Sequence, residues 1–461
     1  MASLPDSADT SDAAARRYML QGDQSRRAGN LGVALDQYRE ARASQPKSGE
    51  VRIKLAHGLK LTGAYDEAAE VLRELAGDYP NDLAVAKEFG RLCAAQHRLD
   101  EALEHFRAVV NRHPADADAH HWLASLEHLK GNTAAAESHF RRTVELDPVL
   151  RVPAAKQPPD FSALLLFAPG GANTPPDTLV KSADYDALFL LLMPGIACDV
   201  ERLRTRAQVV VNLISDVDHD VEVLQSAAAL VEQLGLPVIN HPRAILHTNR
   251  TSIAARLSRI PGCRVPAVTR FTGSVDPADG APYPFLVRVA GTHGGASLTK
   301  IGGPAAFGAY LAAHPGAELY LTEYVDCQSA DGFFRKYRFF FIRDEVLPYH
   351  LAIHDMWKVH HGATDMARRV WKRDEEGAFL QDPAAALGPR QLATLQAIRG
   401  AIGLDFCGID CTIAADGQLV VFEVNASMLV HEDHGVFAYK TPAIDRIKRA
   451  FGAMLAAHAR P

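Results

Sequence analysis

The stretch Phe406–Ser427 reads FCGIDCTIAADGQLVVFEVNAS. Two largely apolar runs, Gly408–Ala414 and Gln418–Asn425, flank Asp416-Gly417, a dipeptide that favours a two-residue hairpin turn. That turn pairs residue 415 with 418 and sets Asp410 directly opposite Glu423. Asn425, two residues on, shares the face of Glu423. The other face carries Ile409, Cys411, Ile413, Val420, Phe422 and Val424 and is expected to pack inward. Two carboxylates directly opposed across a hairpin repel each other. Either a divalent cation relieves that repulsion, with an oxygen-only donor set that suits Mg2+ or Mn2+, or a raised pKa or a neighbouring Lys or Arg does.

Upstream, Phe285–Val289 (FLVRV) reads as a strand carrying Arg288. It runs into Gly291-Thr292-His293-Gly294-Gly295-Ala296-Ser297 and then Leu298–Ile301. Such a loop either exposes backbone N–H groups to phosphate oxygens or only closes a hairpin. Glu318–Val325 (ELYLTEYV) follows. In Arg335–Ile342 (RKYRFFFI) Lys336 and Arg338 share one strand face, either solvated or aimed at an anion. Further back, Phe161–Phe167, Tyr185–Met193, Gln208–Leu213 and Pro237–Asn240 are apolar runs, and Val221–Leu234 has helical spacing that stops at Gly235. Strands alternating with helices predict a parallel sheet with ligands at the strand carboxyl ends. The loop Pro169–Pro175 lies at such an end and is either a substrate loop or a plain turn.

The first third is periodic. Pro46, Pro80, Pro114 and Pro148 are 34 residues apart, as are Ala34, Ala68, Ala102 and Ala136. Tyr38, Leu72, Phe106 and Phe140 follow each Ala by four residues. Gly29, Gly63 and Gly131 hold a third column, with His97 in the remaining slot. A 34-residue period predicts stacked helical hairpins. The small Ala lets paired helices approach, the larger residue one turn on fills the gap between pairs, and Pro ends each unit. These columns resemble the tetratricopeptide repeat family, in four repeats over 15–150. The resemblance implies a groove for a peptide or protein partner; a rigid spacer or an oligomerisation surface is the alternative. Arg151–Asp160 (RVPAAKQPPD) holds three prolines and reads as a linker.

Taken in order, the Gly-rich loop, the T-E-Y-V stretch, the R-K-Y-R strand and G-I-D…D-G…F-E-V-N-A resemble the ATP-grasp superfamily, most of all the glutathione-synthetase and RimK-like carboxylate–amine ligases. The expected fold is multidomain: an all-α helical-hairpin solenoid, then a Rossmann-like α/β domain over 161–245, then the ATP-grasp nucleotide-binding lobes over 246–455. The resemblance implies ATP and Mg2+ (or Mn2+) as cofactors, with Asp410, Glu423 and Asn425 as metal ligands. It places Arg250, Arg288 and Lys336 on the phosphates, and Glu323, Tyr324 and Val325 at the adenine hinge. Gly294 and Gly295 fall in the loop over the phosphates, and Arg338 and Arg288 are the catalytic cations. The implied reaction joins a small-molecule or peptide carboxylate to an amine through an acyl phosphate. Arg288 and Arg250 stand where the family usually has lysine, and Ala426-Ser427-Met428 replaces a common Pro-Gly turn. A catalytically inactive nucleotide-binding scaffold is the alternative.

The composition agrees with a globular protein: 48% hydrophobic residues and 23% charged. A net charge of −6 gives no basic field for nucleic acid or an anionic membrane. Six cysteines without a C-x-x-C pair argue against a disulfide framework or a Cys zinc site. The N-terminal stretch lacks the pattern of a secretory signal and the longest apolar run is too short to span a bilayer, so a cytoplasmic location is expected. His350/His354 and His360/His361 could suggest zinc, but no Cys or carboxylate spacing completes a motif. Lys358 or His360 could touch ATP or substrate, or belong to a surface loop. Cys407 is expected to be a buried small residue, and His431, Glu432 and His434 could line an acceptor pocket.

Overall fold

The computed structural model describes residues 7–27, 30–170, 173–271, 282–292, 297–359, 364–426, 428–431 and 435–459. The chain forms two compact units, residues 1–162 with 169–171 and 180–197, and residues 163–168 with 172–179 and 198–461.

The first unit opens with four helical hairpins: α1 (Ser7–Arg27) with α2 (Leu31–Ser44), α3 (Gly49–Leu61) with α4 (Tyr65–Asp78), α5 (Leu83–Ala95) with α6 (Leu99–Arg112), and α7 (Ala117–Leu129) with α8 (Thr133–Leu146). The repeated Ala34, Ala68, Ala102 and Ala136 are all buried, as are Tyr38, Leu72, Phe106 and Phe140. A further small-residue column runs through the first helix of each hairpin at Gly22, Ala56, Gly90 and Ala124. It exists for close packing: a Cβ on Gly90 would lie 2.6 Å from the Phe106 ring, and one on Gly22 2.5 Å from the Tyr38 ring. Gly63 and Gly131 turn the chain with φ of 78° and 79°; His97, in the same slot, takes the left-handed φ of 58° that glycine adopts more cheaply. Each proline follows the end of a hairpin, and Ser48, Asp82 and Asp116 then cap the next helix by accepting backbone N–H bonds. After the hairpins the unit continues in β1 (Val149–Val152), paired antiparallel with the chain's third strand, β3 (Asp186–Leu191), which belongs to the same unit. Buried Asp186 accepts from Arg151 and from the Ala154 N–H. The proline-bearing stretch therefore begins inside a strand.

In the second unit β2 (Ser162–Phe167), β4 (Val209–Asn212) and β5 (Val238–Ile239) run parallel in that order. The short α9 (Asp177–Val180) and α10 (Val200–Arg204) precede the amphipathic α11 (Val221–Leu234), which stops at Gly235 in the left-handed region. Then come α12 (Pro242–Ile245) and α13 (Arg250–Leu257), the latter capped by the Asn249 side chain. A four-stranded antiparallel sheet follows, in the order β7 (Val268–Phe271), β10 (Leu319–Glu323), β8 (Phe285–Val289), β9 (Thr299–Ile301). Helix α14 (Pro304–Ala313) sets Phe307 and Tyr310 on its apolar face with Phe285, Val287 and Leu321. A five-stranded sheet has the order β12 (Glu345–His354), β11 (Phe334–Ile342), β13 (Phe406–Ile413), β14 (Leu419–Asn425), β6 (Cys263–Arg264). Its helices are α15 (Val370–Gln381), α16 (Pro383–Leu387), α17 (Pro389–Ile402) and α18 (Thr441–Ala459). Phe379 of α15 packs edge-on against Tyr337 and Phe339 of β11, and Phe451 of α18 against Phe406 of β13. Among the described residues no helix is long and apolar enough to cross a membrane.

Candidate nucleotide and metal site

Asp410 and Glu423 are register partners across β13 and β14, by a route that differs from the two-residue turn. The Gly417 N–H donates to the Ala414 carbonyl, and Ala414 N–H to that of Gln418. Residue 414, not 415, therefore faces 418, across a three-residue loop whose last member, Gly417, has φ of 78°. Near the turn Cys411 faces Val421, one place off the expected register, and a bulge between Asp410 and Cys411 restores it. The two offsets cancel. The bulge leaves Phe422 without a partner in the ladder, 39% exposed rather than packed inward.

The carboxylates belong to a row across four neighbouring strands. His350 on β12 faces Arg338 on β11, Arg338 faces Asp410 on β13, and Asp410 faces Glu423 on β14. Cross-strand partners share a sheet face, so the topology assembles one polar strip from residues far apart in sequence. Arg338 grips Asp410 in a fork, Nε to Oδ1 at 2.6 Å and Nη2 to Oδ2 at 2.8 Å, and the Lys336 ammonium lies 3.1 Å from Oδ2. Arg250, from the first turn of α13, pairs with Glu423. Burial pushes the Asp410 carboxyl up, but Lys336 and Arg338 outweigh it and hold the group below its ordinary range. Burial, and then the charge of Asp410, likewise oppose ionisation of Glu423, but Arg250, Arg288 and Lys336 together outweigh them and hold the group low. Asn425 ends β14 opposite Gly408. Of the two remedies for opposed carboxylates, neighbouring cations are thus in place here. The donor types also fit a divalent cation: two carboxylates and an amide oxygen on adjacent strands, with no sulfur or imidazole among them.

Arg288 on β8 is buried, 7% exposed, and gives one Nη2 hydrogen to the Thr292 carbonyl. Its Nε is buried without a hydrogen-bond partner. Burial first, and then the charge of Arg250, push the Arg288 pKa down, so a third cation stands close to Arg250 and Glu423 with donor capacity in hand. At the end of β10, Glu323 accepts from Arg264 at 2.9 Å and from the Ala267 N–H at 3.1 Å. The Lys300 ammonium sits 3.4 Å above the Tyr324 ring, whose edge meets Trp357. Val325 is half-buried beside them. Gly294, Gly295, His360, His361, Glu432 and His434 lie outside the described residues.

Three features carried no weight in the sequence reading. Asp218, in the loop after β4, accepts from the Tyr320 hydroxyl at 2.8 Å and from the Gly291 N–H at 3.3 Å, so it reaches the start of the Gly-rich loop. Thr174 is buried and donates to the carbonyl of Ala426, next to Asn425; the loop left open as substrate site or turn thus leans on the hairpin. Fully buried Glu376 accepts from His350, the Leu351 N–H and the Tyr439 hydroxyl, and so ties β12 to the 3-10 turn Gly435–Lys440. The acidic run Asp216–Asp220 was a visible signal; Thr174 and Glu376 gave none, because their partners are remote. His350 is thus engaged with Glu376, and His354 pairs with Asp355. Among the described residues no group of three or more His, Cys, Asp and Glu is arranged to hold a metal. Cys407 is buried, as expected.

Comparison with known proteins follows the same division. The tetratricopeptide repeat family model matches residues 19–82 and 88–150. The human Protein O-mannosyl-transferase TMTC1 is 27% identical over 158 residues, 26% of this chain and 18% of that protein, so the chain spans less than a fifth of its length. Among solved structures, D-alanine–D-alanine ligase from Bacillus anthracis aligns with 64% of this chain and 96% of its own, at 11% identity and a TM-score of 0.43. An ADP complex of N5-carboxyaminoimidazole ribonucleotide synthetase aligns with 59% of this chain and 71% of its own, at 13% identity and a TM-score of 0.41. The N-terminal hairpins are tetratricopeptide repeats.

Proposed function

We propose that this chain is an ATP-grasp ligase that uses ATP and Mg2+ (or Mn2+) to join a carboxylate to an amine, while its repeats recruit a peptide, protein or partner enzyme. The observation that carries this reading is the row Arg338–Asp410–Glu423 with Arg250, Lys336 and buried Arg288 around it. Two opposed carboxylates, an amide oxygen and four cations on one site suit a metal-bound polyphosphate better than any apolar ligand. Asp410, Glu423 and Asn425 would hold the metal; bound Mg2+-ATP supplies the phosphoryl group that activates the carboxylate as an acyl phosphate. This chain's part is electrostatic. Arg288, Arg250 and Lys336 offset phosphate charge, Arg338 orients Asp410 and stands where charge develops, and the half-buried hinge Glu323–Val325 takes the base. Repeats at 15–150, linked through 151–160 to domains at 161–245 and 246–455, and a cytoplasmic location with six free thiols go with this reading.

The second reading is a nucleotide-binding scaffold without turnover. It is favoured by the pairing of both carboxylates with Arg338, Lys336 and Arg250. Thermal unfolding with ATP, with and without Mg2+, on wild type and Glu423→Ala tests the site, because a ligand that binds only the native state raises the melting temperature. A Mg2+-dependent rise lost in the variant supports the site, and acid–amine pairs that then release ADP distinguish ligase from scaffold. No rise in a folded wild-type protein refutes both.

A further inference from the structure

The last repeat holds two histidines in direct contact. His120 of α7 is 7% exposed; its Nε2 lies 3.1 Å from the Pro114 carbonyl, and its Nδ1 3.0 Å from Nδ1 of His139 on α8. A carbonyl only accepts, so Nε2 of His120 carries the hydrogen and its Nδ1 is a lone pair. The His139 Nδ1–H must then be the donor. The closed pair can gain one proton, at Nε2 of His139. A second, on Nδ1 of His120, would set two N–H bonds head to head.

Beside the pair, His121 of α7 packs edge-on against Phe140 of α8, and desolvation there pushes its pKa down; the charged groups around the pair are already engaged. From α6, Arg107 pairs with Glu127 of α7 at 2.6 Å, and Asn132 also donates to Glu127. From α5, Lys87 holds Asp116 and Asp118 of α7, and Arg91 holds Asp118 as well. Burial first, then His120, push the His139 pKa down, with Glu127 opposing and Arg107 adding to the effect. The same two helices, α7 and α8, supply Ala124, Ala136, Phe140 and Val144 to a core cluster with Met193.

We propose that the His120–His139 contact is a pH-sensitive latch on the fourth repeat, closed at neutral pH and released by acid. Separated imidazoles titrate at about pH 6.5 and take two protons, whereas the closed pair takes at most one. Opening therefore binds at least one extra proton below that pH, and its equilibrium rises by at least about tenfold from pH 7.5 to 5.5. Closure is favoured above about pH 6.5 and weakens as pH falls through and below it.

Amide hydrogen exchange of the full chain, corrected for intrinsic rate, tests this. In wild type, protection in peptides within 117–146 should drop at least about tenfold from pH 7.5 to 5.5, with little change within 51–76. His120→Asn keeps an acceptor oxygen that cannot be protonated and should make the drop about tenfold smaller, leaving only what His121 contributes; His139→Asn keeps the imidazole acceptor and should retain the larger drop. An equal loss in both segments, no loss in 117–146, or an unchanged response in His120→Asn would overturn the latch. The first two outcomes are read on wild type alone, so a variant that fails to fold leaves the proposal open to refutation.

Discussion

Replacing Arg338 by Met removes two charge-assisted hydrogen bonds from Asp410, a carboxylate only 3% exposed, and leaves Lys336 at 3.1 Å as its counter-charge. Stranding a buried charge costs about 3–5 kcal/mol; the remaining lysine sets the expectation at about 3 kcal/mol. Asp410→Asn removes the charge but keeps the shape. The cations it frees reach water, their side chains 27% and 19% exposed, so it should cost about 1–2 kcal/mol. In the double variant no buried charge is stranded, and the two costs should fall short of additivity by about 2 kcal/mol. Urea unfolding in a Trp122→Phe background measures this cycle, because Trp357 and Trp371 then report the second unit alone. The pH dependence follows from sign. The Asp410 carboxyl is held low in the folded state, so its stabilisation is complete above about pH 5 and is lost as pH falls below about 4 toward the folded value. The gap between wild type and Arg338→Met should close in that range. Additivity within about 0.5 kcal/mol, or a gap independent of pH, refutes the claim that Arg338 is the principal counter-charge of Asp410.

Further outcomes are expected. Gly90→Ala should destabilise the first unit by about 1–3 kcal/mol, because the new Cβ meets Phe106; Gly90→Ala with Phe106→Leu reproduces the Ala56–Leu72 pairing of the second repeat and should regain most of the loss in a calorimetric scan. Burial, and then Asp216, raise the Asp220 carboxyl to about 6, and its Oδ2 is buried without a partner. A carboxyl raised on folding costs stability as pH climbs past its unfolded value. Asp220→Asn should therefore stabilise the second unit by about 1 kcal/mol at pH 7.5 and by nothing at pH 3.5, read from urea midpoints. Arg288→Met should abolish the Mg2+-ATP melting shift without lowering the melting temperature of the free protein, since it removes a buried cation with an unused donor.

Much of the architecture is legible in the residues themselves. A 34-residue period is a local property: each hairpin repeats the same Ala, large apolar and Pro positions, and each stacks on its neighbours in the chain, so the array follows from spacing. The column Gly22, Ala56, Gly90, Ala124 is equally periodic and went unread, its meaning lying in Tyr38 and Phe106. The opposition of Asp410 and Glu423 was legible as well, because a short hairpin couples register to sequence, though through a turn and a bulge that cancel.

Tertiary structure decided the rest. That cations rather than empty space stand beside those carboxylates depends on β11 pairing with β13 and on α13 delivering Arg250, contacts separated by 72 and 173 residues. The buried, partly unsatisfied state of Arg288, the anchoring of Ala426 by Thr174 and the gathering of His350 and Tyr439 on Glu376 have the same origin. A sequence determines which residues repeat and which face each other across a short turn, since those relations follow from backbone geometry. Which charges meet is settled by the order of strands in a sheet, through the free energy of the whole packed unit.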